Sequence, residues 1–582
     1  MCVCTYYNVI LGLSATNTMR SEAKIWFAIV WPVLITNLAQ MLMGMTDLIF
    51  LGHYNKMNNN QPHPVDPNTT SLALTSGGKV STLYLGAASL GNVWDSLMNV
   101  IIVKGINNAE IVLISSALGA RNFYLAKSWL YVCFFLITIF GIPIACTYIY
   151  AGNVLAYVTG SSASLEHYTT IYIRILGIGF IPSLWYQTFN GFLVAQGITK
   201  PQMCLSLFAM LLNGILNYAF LYGFGNYDTK NSLDSHSFTG LGFIGSPIST
   251  VISRIILAIG GYFIAMQYFD ETTMKEICDR KNNNENLLNN NDVIDVDNNQ
   301  DELSINNDGK ITRDRRLDTF IDNVPIISLS SSRITYERCK RMMLLGLPLS
   351  LSMLLEDGQL AFVGVLAARI GKVALATHNS MLNFFLVLTS MMWAITGATE
   401  VRISFHLGAG NKQGAFNVIK IASYVAGGIG LIITAFFWAS KNIIGHLLSN
   451  DPDVWALTTE ISTLCGICYL ALCVFYISMA TLTAQNRPLA IAGSFVMGAW
   501  VVCTPLCFYL AFHYEATKGL FGLWLALAIG YLVTTILSFV CVIRSDWDEI
   551  VKNILENAEV NKDDEDRLNN GGDDVVYYGA LE

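Results

Sequence analysis

The chain predicts an all-α membrane protein with twelve transmembrane helices in two duplicated six-helix lobes, and three observations carry that prediction. The first is composition: of 582 residues, 53% are hydrophobic and 13% charged, with a mean hydropathy of +0.47, whereas soluble domains carry about 25% charged residues. The second is a series of apolar stretches long enough to cross ~30 Å of hydrocarbon, which takes roughly 20 helical residues each. The third is an internal repeat.

The apolar stretches run over residues 25–53, 83–106, 125–150, 168–194, 202–224, 241–267, 343–368, 373–399, 415–438, 458–483, 488–513 and 519–543. Their orientation follows from the excess of Lys and Arg on one side. With an even number of spans, Arg20, Lys24, Arg121, Lys127, Lys200, Lys412, Arg487 and Arg544 share a side with both termini. The basic ends of a central loop, Arg280, Lys281, Arg338, Lys340 and Arg341, fall there too. That side is expected to be cytoplasmic. The loop from Tyr54 to Val80 then lies outside and holds the sequon Asn68-Thr69-Thr70, which makes Asn68 the expected glycosylation site.

The formal net charge of −8 does not mark a basic or nucleic-acid partner, because the acids concentrate in residues 270–322 and 546–582. Both segments are poor in apolar residues and biased towards Asn and Asp, so neither buries enough surface to offset its ordering entropy. The expected organisation is an N-terminal tail (1–20), a six-helix lobe (21–269), a cytoplasmic Asn/Asp-rich disordered linker (270–340), a second six-helix lobe (341–544) and an acidic cytoplasmic tail (545–582). The opening stretch MCVCTYYNVILGLSATNTMR has no positive n-region, so a cleaved signal peptide is not expected.

The stretch FHLGAGNKQGA (405–415) has the glycines of a phosphate-cradling loop. Such a loop follows a strand and opens a helix in a βαβ unit, whereas this one joins two apolar spans. Its meaning comes from the repeat. At a constant offset of 289 residues, Ala109, Val112, Ser115, Leu118, Gly119, Ala120, Asn122 and Ala126 fall on Ala398, Val401, Ser404, Leu407, Gly408, Ala409, Asn411 and Ala415. Leu193, Ala195 and Gln196 fall on Leu482, Ala484 and Gln485, while Pro32 matches Pro348 at an offset of 316. The shared Leu-Gly-Ala-x-Asn reads as a tight helix-to-helix connection in which the first glycine permits the turn, leaving Gly410 and Gly414 dispensable. Duplicated halves joined by a cytoplasmic linker are the architecture of secondary transporters, whose halves rock about a central site.

An ionised carboxylate at mid-membrane costs about 2.5–3.5 kcal/mol on insertion scales, so each one retained there is a functional candidate. Asp47, Asp95, Glu356 and Asp357 are such residues; Glu110 and Glu400 lie nearer the cytoplasmic helix ends, within expected reach of headgroups. Asn37, Gln40, Gly44 and Asp47 share one helical face, as do Ser89, Asn92, Ser96 and Asn99 with Asp95 beside them, and Ser352, Glu356 and Gln359. Polar faces in a membrane bundle must point inward. Glu356 and Asp47 are therefore the candidates for proton or cation coupling, with the other polar residues lining a substrate cavity.

Of the histidines, His53, His167 and His513 lie near helix ends, His378 is a candidate for lining the cavity, and His406, like His378, stands apart from evident partners. No catalytic constellation emerges, so an enzyme is not expected. Cys465-Gly-Ile-Cys468 has the spacing of half a zinc site but lies inside an apolar span without a second pair, so packing is expected rather than a metal or any other cofactor.

These residues resemble a known family. ATEVRISFHLGAGN (398–411) looks like the signature of the multidrug and toxic compound extrusion (MATE) family in its eukaryotic branch. WPVLITNLAQMLMGMTDLIFLGH (31–53), LGAASLGN (85–92), FLVAQGITKP (192–201) and GLGFIGSPISTVIS (240–253) fall in the order that family shows. The resemblance implies a secondary active antiporter that exports organic cations or xenobiotics in exchange for protons by alternating access. A sodium-coupled exporter and a lipid flippase of the wider superfamily are the alternatives; the flippase is disfavoured because the mid-helix charges are read as acids.

On the same resemblance, Asp47 takes the place of the first-helix aspartate used in cation coupling, and Glu356 that of the seventh-helix glutamate used for substrate cations and protons. Asn213 keeps its place among the cavity residues, while Asn217 stands where prokaryotic relatives have an aspartate. Ala361 replaces a second glutamate, the tenth helix around Leu472 has no acid, and Ser116 replaces a glutamine. The expected partners are small organic cations, protons or sodium, and the bilayer of a plasma or acidic-organelle membrane, with the chain acting as a monomer.

Overall fold

The computed structural model describes residues 18–53, 78–101, 103–159, 162–223, 240–268, 333–448 and 451–557. The expected glycosylation site Asn68 and nearly all of the Asn-rich linker lie outside the described residues. The first half contains α1 (Met19–His53), α2 (Gly78–Ile101), α3 (Val103–Gly119), α4 (Phe123–Thr147), α5 (Ala151–Thr159), α6 (Ala163–Ala195), α7 (Lys200–Tyr222) and α8 (Gly245–Tyr268). The second contains α9 (Tyr336–Ile370), α10 (Lys372–Gly408), α11 (Lys412–Ala439), α12 (Lys441–Leu448), α13 (Pro452–Ala484), α14 (Pro488–His513) and α15 (Leu520–Ile543). A last helix, α16, spans 547–557.

Ten of these helices are long and apolar enough to cross a membrane, and α2 with α3, bent by 45° at their junction, makes an eleventh. The remaining expected span is α6, 33 residues long, whose Glu166, His167, Arg174, Gln187 and Asn190 thin its hydropathy. The chain is thus an all-α membrane protein of two duplicated six-helix lobes. Helix lengths repeat: 35 residues in α1 and α9, 33 in α6 and α13, 24 in α8 and α15. One difference is the 45° bend between α2 and α3, where α10 is a single helix of 37 residues.

Packing repeats as well. Within the lobes α6 lies against α8 as α13 lies against α15, and α1 against α7 as α9 lies against α14. Between the lobes α1 packs on α10 as α3 packs on α9, with α3 and α10 touching directly. These pairs are what a two-fold relation along the membrane normal requires of parallel repeats. The ends of α3 and α10 and the starts of α1 and α9 lie at one end of the bundle, hereafter the base.

The connection at the base corrects the expected roles of its glycines. Helix α3 closes with Arg121 N–H donating to Leu118 O (3.1 Å) and Asn122 N–H to Ala117 O (2.9 Å); α10 closes with Gly410 to Leu407 (3.1 Å) and Asn411 to His406 (2.8 Å). This is the left-handed C-terminal turn that satisfies helix-end carbonyls. Its left-handed residue is Gly410, φ 69°, matched in the first half by Arg121, φ 58°. The Asn of the motif then caps the next helix, its Oδ1 accepting from Leu125 N–H (2.8 Å) or Gly414 N–H (2.9 Å).

The shared glycine does not make the turn; it lets the lobes cross. A Cβ on Gly408 would stand 1.9 Å from Ser116 O, and one on Gly119 would stand 2.0 Å from Phe405 O. Since Ser116 and Phe405 are themselves equivalent in the repeat, the two clashes are one contact seen from both lobes. Gly414 has its own necessity, because a Cβ there would meet the His406 ring at 2.3 Å.

Two expected boundaries also shift. Helix α9 starts at Tyr336, capped by Thr335, so the end of the expected linker is helical. The start of the expected disordered tail forms α16, which buries Val551 and Ile554 and packs Trp547 against Phe416, ring centroids 4.6 Å apart. Asp548 pairs with Lys412. The acidic composition that suggested a solvated tail hides an apolar stripe, Trp547, Val551, Ile554 and Leu555, that needs a surface to cover it.

Gly408→Ala is expected to lower stability by about 1–3 kcal/mol, the usual range for overpacking, read as a drop in the thermal unfolding midpoint of the purified protein in detergent. Gly427, whose Cβ would meet nothing within 4 Å, is the control: Gly427→Ala should unfold at or above the wild-type midpoint. Equal midpoints for the two variants would refute the crossing role of Gly408.

Candidate functional site

In the first lobe four helices converge on Asp47. Its Oδ1 accepts from Asn217 Nδ2 of α7 at 2.8 Å, and its Oδ2 from Thr250 Oγ1 of α8 at 2.6 Å and Tyr172 OH of α6 at 3.3 Å. Asn213 extends the network, donating to Thr250 Oγ1 at 3.2 Å and accepting from Asn217 Nδ2 at 3.2 Å. Asp47 is 2% exposed and forms no ion pair within 4 Å among the described residues. Every donor to it is a neutral amide or hydroxyl.

Beside this network is a cavity of about 170 Å³ lined by Gln40, Asp47, Asn92, Tyr186, Gln187, Thr250 and Arg254. Gln40 Nε2 donates to Tyr186 OH at 3.0 Å. Asp95 belongs to a different arrangement: Arg254 holds it with two bonds, Nη1 to Oδ1 at 3.1 Å and Nη2 to Oδ2 at 2.7 Å, and Tyr148 OH donates to Oδ1 at 2.9 Å. The mid-helix charges are therefore not all acids, as the sequence reading had it. Arg254 sits inside an apolar span and reaches the same cavity as Asp47.

In the second lobe Glu356 Oε1 accepts from Tyr476 OH at 3.1 Å, and Tyr476 in turn accepts from Trp393 Nε1 at 3.2 Å. Glu356 has no ion-pair partner within 4 Å among the described residues. Lys104 of α3, an exposed lysine of the other lobe, lies close enough to act electrostatically on both Glu356 and Asp357. Next to this site α14 widens into π-helical turns at Val496–Cys503 and Tyr509–His513, and Trp500 Nε1 donates to Leu355 O at 3.2 Å. Such wide turns recur at functional sites.

The other candidates are placed less tightly. Asn37 is half-buried and outside the cavity lining. Ser352 spends its hydroxyl on Pro348 O at 2.9 Å, and Gln359 is buried. His378 is buried against Trp524, ring centroids 5.7 Å apart, and neither ring nitrogen has a hydrogen-bond partner among the described residues. Cys465 and Cys468 are buried in α13, and the described residues contain no group of three or more His, Cys, Asp or Glu placed to hold a metal.

Three expectations are corrected at the base. Glu110 and Glu400 do not reach headgroups: they are 0% and 2% exposed, and Glu110 Oε2 accepts from Cys133 Sγ at 3.3 Å. His406 does not stand apart. Its Nε2 lies 3.1 Å from Glu22 Oε2, and Arg402 clasps the same carboxylate with Nε to Oε1 at 2.6 Å and Nη2 to Oε2 at 2.8 Å. All three side chains are 1% exposed. This triad joins α1 of one lobe to α10 of the other, and one turn further on Trp26 Nε1 donates to Thr399 Oγ1 at 3.1 Å across the same seam.

Removing one member of a buried ion pair costs about 3–5 kcal/mol, because the partner charge is left unpaired. Glu22→Gln and Arg402→Met are each expected to destabilise by that order. The double variant should lose less than the sum, with a coupling above ~1 kcal/mol in a double-mutant unfolding cycle. Additive losses would mean the triad does not act as a unit.

A family model described as MatE matches residues 71–219 and 348–509, once in each half of the repeat. An uncharacterized transporter of Saccharomyces cerevisiae is 21% identical over 97% of this chain and 68% of its own length. A probable multidrug resistance protein NorM of Photorhabdus laumondii is 24% identical over 88% of this chain and 93% of its own. Among solved structures, the eukaryotic MATE transporter AtDTX14 superposes with a TM-score of 0.67 at 16% identity, covering 93% of this chain and 99% of its own. MATE in the bent conformation gives 0.68 at 15% identity, covering 93% and 98%. With the model matched in both halves and the two-lobed helical fold shared, the chain belongs to the MatE family.

Proposed function

We propose that the protein is a secondary active antiporter that exports organic cations in exchange for protons by alternating access, and that Glu356 is the group over which the two cations compete. The observation that carries this is the setting of Glu356: a carboxylate in an apolar span, held by the Tyr476 hydroxyl and by no ion-paired cation. Burial disfavours the ionised form of a carboxyl. A site of this kind is satisfied either by a proton or by a substrate cation, which is the condition for exchange. Protonation from outside releases the substrate, and deprotonation towards the inside admits the next.

Asp47 serves as a second coupling site for a small cation rather than for substrate. Its cavity of about 170 Å³ is below the ~300–1,000 Å³ of pockets that hold drug-sized ligands. Its donors are neutral, so its charge is also uncompensated except through Arg254. The named relatives of the chain include multidrug resistance proteins, which agrees with an organic substrate. We place the base on the cytoplasmic side, where the basic helix ends cluster, and both termini and the central loop with it.

One proton exchanged for one monovalent cation moves no net charge, so the membrane potential drops out. A pH difference of one unit then sustains about a tenfold substrate gradient, since one unit is about 1.4 kcal/mol.

Purified protein in proteoliposomes with an imposed pH gradient should accumulate a fluorescent organic cation, and Glu356→Gln should reduce the gradient-driven rate at least tenfold. Asp47→Asn should flatten the pH dependence of transport while leaving dye binding measurable. Wild-type rates in Glu356→Gln would remove Glu356 from the coupling role, and uptake driven by a sodium gradient alone would replace the proton in the scheme.

A further inference from the structure

At the base of the second lobe a cleft of about 590 Å³ opens between the first turns of α9, the α13–α14 turn, the end of α15 and the helix α16. Three guanidinium groups line it: Arg341 from α9, Arg487 at the start of α14 and Arg544 at the end of α15. Arg487 is fixed in place, its Nη1 donating to Ser545 Oγ at 2.6 Å and to Cys541 O at 3.3 Å. Arg341 and Arg544 form no ion pair within 4 Å among the described residues.

A fourth donor points to an absent acceptor. Gln485, also in the lining, is 3% exposed; its Oε1 accepts from Ser545 Oγ at 3.0 Å, while its Nε2 has no hydrogen-bond partner among the described residues. A buried amide donor left unmade costs about 1–3 kcal/mol. Of the two acids at the cleft, Asp546 is occupied in capping α16, accepting from the N–H groups of Asp548 and Glu549. Glu549 remains as an opposing charge on one wall.

We propose that this cleft is a binding site for a phosphate group, supplied by the headgroup of an anionic membrane lipid. The donor set is suited to it: guanidinium groups and an amide surround a space that an oxygen-rich anion fills, and Arg pairs with phosphate in planar, two-bonded geometry. The lipid source follows from position. The arginines stand at helix ends, where headgroups lie, and the adjoining wall includes Leu344, 66% exposed on the outside of an apolar helix. Basic pockets between transmembrane helices hold lipid headgroups in this way. Occupancy bridges α9 to α16 and so fastens α16 to the lobe. The proposal does not depend on the transport reading.

The test is thermal unfolding of the full chain in neutral detergent with phosphatidic acid, phosphatidylcholine, glycerol 3-phosphate or inorganic phosphate. A ligand of the folded state stabilises it by RT ln(1 + [L]/Kd), so the midpoint rises once the ligand exceeds its Kd. Phosphatidic acid should raise it in a dose-dependent way and phosphatidylcholine should not. Arg341→Gln/Arg544→Gln should raise the phosphatidic acid concentration needed for a given rise at least tenfold, and Glu549→Gln should lower it. Equal responses from wild type and the double arginine variant, or from the two lipids, would overturn the site. A response to inorganic phosphate or glycerol 3-phosphate at the same concentration as phosphatidic acid would overturn the lipid assignment.

Discussion

The pairing of Glu22 with Arg402 and His406 is the interaction on which the arrangement of the lobes depends. Apolar side chains of α3 and α10 are buried around this pairing, and in a bilayer apolar contact has little preference for protein over lipid, because tails are as apolar as leucine. A carboxylate clasped by a guanidinium at 2.6 and 2.8 Å has a strong preference, since separation would strand both charges in a low-dielectric seam. The reciprocal glycine contacts at Gly119 and Gly408 let the backbones approach closely enough for that clasp to form. Close backbone approach and ion pairing are thus one device, placed where α1 and α3 meet α10.

Duplication supplies the frame, and divergence within it supplies the site. At the offset that matches Pro32 to Pro348, Gln40 falls on Glu356. Each side chain bonds a tyrosine of the fourth span of its own lobe, at positions one residue out of register in the repeat: Gln40 donates to Tyr186 in α6, and Glu356 accepts from Tyr476 in α13, while Tyr186 falls on Phe475. The scaffold is the same, but the direction of the bond and the charge are not. In the first lobe the acid has instead been placed at Asp47, which falls on Val363 in the second. The two candidate coupling acids, Asp47 and Glu356, therefore stand at inequivalent positions on the same scaffold, and on the proposed reading this asymmetry would let two cations meet different surroundings.

The parts of this structure legible in the sequence are those set by one-dimensional pattern. Apolar length gave the spans, a fixed offset gave the duplication, and polar faces on α1, α2 and α9 gave Asp47, Asn92 and Glu356. Partners were not legible, because they lie far away in the chain: Thr250 is 203 positions from Asp47 and Glu22 is 380 from Arg402. Arg254 was the missed signal that was available, a lone arginine well inside an apolar span with Asp95 as the acid in need of it. The turn glycines were misread for a related reason. Backbone freedom at Gly410 is a local property, while the clash that forbids a side chain at Gly408 comes from the other half of the molecule.

These two classes of constraint bear differently on the proposed rocking motion. The network around Asp47 is confined to α1, α6, α7 and α8, all of one lobe, so rigid movement of the lobes leaves it intact. The Glu22 triad, the Trp26 to Thr399 bond and the glycine crossing all span the seam, so opening at the base must break them together. Lys104, facing Glu356 and Asp357 from the opposite lobe, belongs to the second class: its distance from those acids changes with every rocking step. On the proposed reading, a substrate cation at Glu356 would meet repulsion from Lys104 when the lobes are close and less when they part. Lobe movement would in this way be coupled to the charge at Glu356 without any change inside either lobe.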